Sequence, residues 1–370
     1  MNVVIVNGFD TYEHRVDMIH DILCSENHSV TVLTSDFRHF EKTKRTEPKK
    51  GFVFFEAIPY YKNLSCQRML SHSKLSKTIF DYVEKHRESI DLLWVLVPPN
   101  SFVKDAAEFK KKYPRVKLVF DLIDLWPETM PVGFVKKMFP FTMWRDIRDK
   151  YIRMADYIVT ECDLYRKRLA GILEGVRVET LYLARTLLPH TPQVTLSDAS
   201  ISLCYLGSIN NIIDISVVRE IISAFRKNSP VTLHIIGEGE QREKLLRECQ
   251  EAGAEVIFHG KVFDREEKQK ILGSCHYGLN IMKESVCVGL TMKSMDYLEF
   301  GLPIINNIHG DTWDIIERQQ IGFNVKPPIE ISDIEYQMQM RDNARCFFEQ
   351  NLSEYVFREK VLSVINECDR

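Results

Sequence analysis

One pattern limits what this chain can fold into. Short apolar, β-branched runs alternate with helical patterns, and the alternation occurs twice, on either side of an aperiodic stretch. Before that stretch, Val3–Val6, Ser29–Leu33, Phe52–Phe55, Leu92–Val97, Lys117–Phe120, Tyr157–Thr160 and Val178–Leu183 read as strands. They are mostly apolar and bounded by turn or charged residues, as strands buried on both faces are. Between them, Leu75, Ile79 and Val83 fall at i, i+4 and i+8, one face of a helix. Residues 188–200 carry two prolines, small polar residues and no period, and read as a linker. The alternation then restarts with Ile201–Leu206, Val231–Ile236, Glu255–Phe258, Tyr277–Ile281, Pro303–Asn306 and Gly322–Val325, and Ile334–Cys368 is helical in character. Apolar strands separated by helices must be parallel and joined by crossovers. The expected architecture is α/β, with two doubly wound domains facing a cleft. Domain one is 1–187, the linker 188–200, domain two 201–340, and 341–370 a helical segment packing back toward the first domain.

Composition narrows the function classes. At 370 residues the chain is too long for one hydrophobic core. Apolar residues at 45% and charged residues at 27% exclude a mainly disordered chain. Nine cysteines, with no C-x-x-C pair, give neither a disulfide framework nor a zinc signature, and favour a reducing compartment. The opening MNVVIVNGF lacks a basic n-region, so no signal peptide is expected. The longest apolar run, Leu92–Pro99, falls short of the ~18 residues of a membrane span. The expected location is cytoplasmic. The net charge of −3 hides +5 over residues 1–190 and −8 over 191–370. This asymmetry fits two domains with different partners, or simply two differently solvated surfaces. A slightly acidic chain with no recognition motif argues against nucleic acid, and the lack of G-x-G-x-x-G after the first strand argues against a dinucleotide enzyme.

In doubly wound sheets ligands sit beyond the carboxyl ends of the strands. In the second half those ends carry Gly207-Ser208-Ile209-Asn210-Asn211, Gly237-Glu238-Gly239 and His259-Gly260-Lys261. Each glycine alone is more often only a turn; three at consecutive strand ends suit a backbone that approaches a ligand closely. The stretch VGLTMKSMDYLEFGLPIIN starts a helix near Thr291 and ends it at Gly301-Leu302-Pro303. Val288, Gly289 and Leu290 precede that helix, where amides and dipole suit a phosphate. Lys293 stands in the first turn, unfavourable with the dipole unless something such as a diphosphate compensates; the alternative is a solvated surface lysine. Asp296, one turn on, could accept from a ribose diol or form an intrahelical pair with Lys293.

With these motifs the chain resembles the GT-B glycosyltransferases of the retaining, nucleotide-sugar-dependent GT4 type. The resemblance runs nearly end to end: the opening strand and loop, HSVTVLTSDF, FDLIDLWPE, YLGSI, LHIIGEGEQREKLL, VIFHGKV and MKSMDYLEFGLPII. The last is similar to the family's K-x-x-E-Y-x-x-x-G-x-P helix. The resemblance implies a GT-B fold and places Gly207, Ser208 and Asn210 near a donor diphosphate. It sets Gly237, Glu238 and His259, Gly260, Lys261 and Val262 around the base. Val288, Gly289, Leu290 and Thr291 fall at the sugar and phosphate loop, and Asp296 at the ribose-binding acid. Two positions depart from the pattern. Val288 stands where the first Glu of E-x7-E is usual, and Ser208, Asn210 and Asn211 stand where an Arg/Lys pair is usual. Lys293 is the residue expected to supply the missing positive charge.

In the first half, NGFDTYEHRVDMI resembles the family's N-terminal loop without its paired glycines. His14 falls there as an acceptor contact, and Arg15 as a residue that holds a phosphate bidentately or else a surface helix arginine. Asp124, in the loop after the FDL strand, reads as a sugar-hydroxyl acceptor or base, or as the cap of a turn before Trp126-Pro127. Arg38, His39 and Lys42 open a basic loop, Arg38 to Lys50, with six basic and two acidic residues. This loop is an acceptor contact or only a solvated loop. Phe134–Arg153 mixes aromatic residues and methionine with six basic and two acidic residues. It suits an anionic membrane surface, or a core-packed helix with a charged outer face.

The resulting expectation is a metal-independent hexosyltransferase with Asp124, Arg15 and Lys293 as catalytic residues. It would use a UDP- or GDP-sugar as donor, hold no permanent cofactor, and act on a lipid-diphosphate-linked or glycan acceptor at the inner membrane face. The synthesis it would serve is that of a bacterial capsule, O-antigen or exopolysaccharide. The alternative is a catalytically inactive GT-B-like partner subunit of another transferase.

Overall fold

Every expected strand forms, with ends shifted by three residues or fewer. A computed structural model describes residues 1–62, 64–130, 133–187, 196, 199–330 and 336–369. The expected linker, 188–200, lies largely outside the described residues.

The chain divides into two units, Met1–Leu183 with Tyr355–Arg370, and Ala184–Glu354. In the first, β1 (Asn2–Asn7), β2 (Ser29–Ser35), β5 (Phe52–Phe55), β6 (Leu92–Val97), β7 (Lys117–Leu122), β8 (Tyr157–Thr160) and β9 (Val178–Thr180) pair in the order β5-β2-β1-β6-β7-β8-β9. Every pairing is parallel. The hairpin of β3 (Phe37–Arg38) and β4 (Thr43–Lys44) extends the loop after β2. The helices are α1 (Glu13–Ser25), α2 (Cys66–Lys85), α3 (Asn100–Lys112), α4 (Phe141–Tyr151) and α5 (Asp163–Arg168). All six residues of β6 are buried, because a central parallel strand is covered on both faces. Phe102, Val103, Ala106 and Phe109 of α3 pack onto that core with Leu75, Ile79 and Val83 of α2.

The second unit repeats the plan. Strands β10 (Ile201–Leu206), β11 (Val231–Ile236), β12 (Glu255–Gly260), β13 (Tyr277–Asn280), β14 (Ile304–Asn306) and β15 (Gly322–Asn324) pair in parallel in the order β12-β11-β10-β13-β14-β15. Its helices are α6 (Ile215–Phe225), α7 (Arg242–Glu251), α8 (Arg265–Gly273), α9 (Met292–Glu299), α10 (Asp311–Gln319) and α11 (Gln339–Asn351). Asp214, Asp264 and Thr291 cap α6, α8 and α9 by accepting from Val217, Glu267 and Ser294 N–H. The C-terminal segment is divided: α11 belongs to the second unit, and α12 (Glu354–Asp369), beyond its first residue, to the first.

The aromatic-basic stretch 134–153 is not one helix. A 3-10 turn, Gly133–Lys137, leads to Pro140, and α4 begins one residue later, because proline offers no amide to an upstream turn. Among the described residues no helix is long and apolar enough to cross a membrane.

Candidate functional site

Strand order in the second sheet reverses between β10 and β13, so the loops after those strands open side by side, the usual ligand position in open α/β sheets. Gly207 ends β10 at φ +129° and Gly237 ends β11 at φ +147°. A Cβ on Gly237 would lie 1.9 Å from Gly207 O, so the two turns meet backbone to backbone. Gly237 N–H donates to Gly260 O at 2.7 Å, which joins the third predicted strand end to the other two.

Lys293 lies beside this junction. A Cβ on Gly207 would sit 3.7 Å from Lys293 Cε, and the ammonium stands 4.6 Å from the centroid of the Tyr205 ring. Lys293 is 8% exposed. Among the described residues no hydrogen bond or ion pair reaches its ammonium. Burial pulls its pKa down to about 7. It is therefore not the solvated lysine that the sequence left open. Tyr297 pins the helix that carries it: its hydroxyl accepts Leu206 N–H at 2.9 Å and lies 3.2 Å from the carbonyl oxygens of Cys204 and Leu279. Gly278 makes room for that ring.

Asp296 is buried and one turn on, but its ion partners are Arg185 and Lys268, not Lys293. Both contacts fall on Oδ1. Glu299 completes the network with Arg185 and Arg265.

Several expected donor contacts are redirected. The Thr291 hydroxyl caps Ser294 N–H and donates to Asn280 Oδ1, so it serves the helix start and not a ligand. Val262 is buried and offers only backbone. Gly289 O accepts from Thr312, and Val288 O lies where a Cβ on Gly310 would clash, so this loop is locked against α10. Asn210 Oδ1 accepts Ile212 N–H, and Ser208 is exposed beside Gly207. Glu238 pairs with Arg242 at 3.3 Å, and Lys261 is exposed. The His259 ring lies 3.0 Å from His234, nitrogen to nitrogen, with the planes 8° apart. Burial lowers the pKa of both imidazoles, and their mutual repulsion lowers that of His234 further.

In the first unit the Arg15 expectation is corrected, and Asp124 makes the contacts of a turn cap. Arg15 is 1% exposed and cannot hold a ligand phosphate. Its guanidinium donates to both oxygens of the buried Asp121 (2.9 and 2.8 Å) and to Leu181 O (2.9 Å). Trp94 Nε1 adds a third donor to Asp121. Asp124 accepts from Leu125 N–H (2.8 Å), Trp126 Nε1 (2.6 Å) and Thr129 Oγ1 (2.5 Å). Burial raises its pKa against those three bonds.

The acceptor-side expectations also separate. His14 is exposed at the start of α1, and Arg38 pairs with Glu41 and Glu47. His39 is buried, bonded to Tyr60 Oη at 2.7 Å, and burial with the nearby Arg68 and Lys42 charges lowers its pKa to about 4. Lys42 stands 4.8 Å from the Tyr60 ring.

The residue missed here is Arg68. Its guanidinium lies over the rings of Trp126 (4.5 Å), Phe9 (5.4 Å) and Tyr60 (5.6 Å), and its Nε donates to His72 at 3.4 Å. Arg68 and His72 continue the apolar stripe of Leu75, Ile79 and Val83 at spacings of four and three. A polar extension of a core stripe was the available signal.

Comparison with known proteins places these observations. Residues 200–335 match the model of the family "Glycosyl transferases group 1". No curated protein matches. Among solved structures, sucrose-phosphate synthase from Thermosynechococcus elongatus aligns over 99% of this chain and 98% of its own, with TM-score 0.68 and 10% identity. The lipopolysaccharide outer core galactosyltransferase WaaB aligns over 99% of both chains, with TM-score 0.67 and 15% identity. HepE of Anabaena, in complex with UDP, covers 99% of this chain and 100% of its own, with TM-score 0.66 and 12% identity. The chain therefore has the GT-B glycosyltransferase fold, and its second unit carries the glycosyl transferases group 1 match.

Proposed function

We propose that this chain is a glycosyltransferase that moves a sugar from a nucleotide diphosphate sugar, most simply a UDP-sugar, to a lipid-diphosphate-linked or glycan acceptor in surface-polysaccharide synthesis. The observation that carries the reading is Lys293: a buried ammonium beside the glycine junction at the switch point of the second sheet, in the first turn of a helix. A diphosphate supplies the charge that site lacks, and the helix dipole adds to its attraction. As the sugar leaves, negative charge grows on the β-phosphate. Lys293 and the start of α9 meet that charge without rearrangement. Asp296 keeps Oδ2 for a ribose hydroxyl while Oδ1 holds Arg185. The structures of HepE with UDP, and with UDP-glucose, support uridine as the base. Retention at the anomeric carbon follows from the GT4 resemblance.

UDP-glucose, UDP-galactose and GDP-mannose panels should raise the melting temperature for one nucleotide class, and prolonged incubation with acceptor lipid extracts should release the nucleoside diphosphate. Stabilisation without release would favour the inactive partner-subunit reading. Stabilisation by none would remove the transferase reading.

The same reading places the first unit at the inner face of the cytoplasmic membrane. Phe134, Val135, Met138 and Phe139 are each at least half exposed within six residues, interleaved with Lys136 and Lys137. Flotation with anionic vesicles should recover the protein, and Phe134→Ser with Phe139→Ser should reduce recovery without changing the melting temperature. Equal recovery of the double variant would assign the patch no part in membrane contact.

A further inference from the structure

The first sheet also has a switch point, between β1 and β6, and a groove opens there. It lies between the first two turns of α2, the start of α3 and the middle of α4, with a volume of about 250 Å³. Its walls are largely apolar: Met69 and Leu70 on one side, Met143, Trp144 and Ile147 on the other, and Trp126 at the base. The walls are fixed, since Asn100 Nδ2 donates to both Trp126 O (3.1 Å) and Trp144 O (2.9 Å). The rim is apolar and open to solvent, with Leu70 65% and Met143 40% exposed. Two of the lining residues, His72 and Trp126, are also the groups in contact with the Arg68 guanidinium. Lys42 approaches the same Tyr60 ring as Arg68. Arg68 is itself buried, at 7% exposed, so the apolar slot is joined to this cationic cluster through His72 and Trp126.

We infer that this groove takes the hydrocarbon chain of a lipid phosphate, with the phosphate held by Arg68 and Lys42. The inference rests on the transferase reading for its role, since it would name the part of the acceptor that the first unit grips. Size argues for a chain and against a helix face. A cavity of roughly 150 Å³ accepts one benzene ring, so this groove holds a few isoprene or acyl units. Charge argues for phosphate, because a guanidinium on a platform of rings binds that anion bidentately and gives up little hydration in doing so. Continuity argues for delivery from a bilayer. The exposed Phe134–Phe139 run leads directly into α4, with Thr142 N–H bonded to Met138 O and Trp144 N–H to Pro140 O.

Equilibrium dialysis of the full chain against geranyl phosphate, geraniol and inorganic phosphate tests this. Geranyl phosphate should bind at least about tenfold more tightly than either half alone, since apolar burial and the charged contact act together. Leu70→Asp with Met143→Asp, both on the exposed rim, should remove that advantage and leave phosphate binding as it was. Arg68→Gln should make geranyl phosphate bind no better than geraniol. Geranyl phosphate binding no tighter than phosphate, full binding by the rim variant, or a groove closed by dimerisation would each overturn the inference. UDP binding, measured on the same samples, reports the second unit separately. Loss of UDP binding with intact geranyl phosphate binding would count against the transferase reading and not against the groove.

Discussion

Replacing Lys293 by Met should raise the dissociation constant for UDP roughly 10- to 150-fold, the equivalent of about 1.5–3 kcal/mol for a charge-assisted bond. Methionine keeps the length and apolar stem, so the loss measures the charge. The wild-type protein should also show a pH dependence that the variant lacks. Burial holds the Lys293 pKa at about 7 in the free protein. Only the protonated form attracts a diphosphate, so UDP affinity should fall about tenfold per pH unit above that value. The stability of the free protein runs the other way. Between about 7 and the ordinary lysine value near 10.4, the unfolded chain binds the proton that the folded chain has lost. The Lys293 contribution to stability therefore grows as pH rises through that window. Calorimetric titration at pH 6.5, 7.5 and 8.5 separates the two effects. A flat affinity profile would show that Lys293 does not meet the diphosphate.

The second large effect is expected at Arg15, and it should appear in stability alone. Arg15→Met leaves Asp121 as a buried carboxylate without its counter-charge, a loss of about 3–5 kcal/mol for a pair of this kind. At ~2–4 °C per kcal/mol for a unit of this size, scanning calorimetry should show a drop of roughly 6–20 °C. The double variant Arg15→Met with Asp121→Leu should recover much of that loss, because it removes the stranded charge together with its partner. UDP affinity should not change in any of these, since every partner of Arg15 lies in the first unit. An unchanged melting temperature for Arg15→Met would mean that the pair contributes nothing net.

Arg15 also shows where the sequence stops being readable. Arg15, Ile19 and Leu23 fall at i, i+4 and i+8, and all three are buried, so the spacing places the arginine on the inner face of α1. Its partner Asp121 is 106 residues away, and no local pattern connects the two. A charge on an inner face then looks functional when it is structural. Asp124 is the opposite case. Its three donors lie within five residues, so the capping alternative could be read locally. The strands were legible because parallel strands covered on both faces are written as apolar runs. The β3–β4 hairpin was not, since two-residue strands are too short to show a period. The place of Lys293 in the first turn of a helix was legible because helix-start signals are local. The cationic cluster was missed because Tyr60, Arg68 and Trp126 come from three separate segments.

The contact between the Gly207 and Gly237 turns also bears on how this protein could be re-engineered. With Gly207 O at 1.9 Å from any Cβ on Gly237, and Ile209 O at 2.2 Å from any Cβ on Gly239, neither position tolerates even alanine without displacing backbone. These turns form an invariant floor on which every library member must be built. Mutagenesis aimed at a different nucleotide or sugar should leave 207, 237 and 239 fixed and randomise the side chains that stand above them. Ser208, Glu238 and Lys261 are partly or fully exposed and mesh with no core layer. If the proposed donor site is right, these three positions are where donor preference would be redrawn at low folding risk, whereas diversity placed in the glycines would displace backbone.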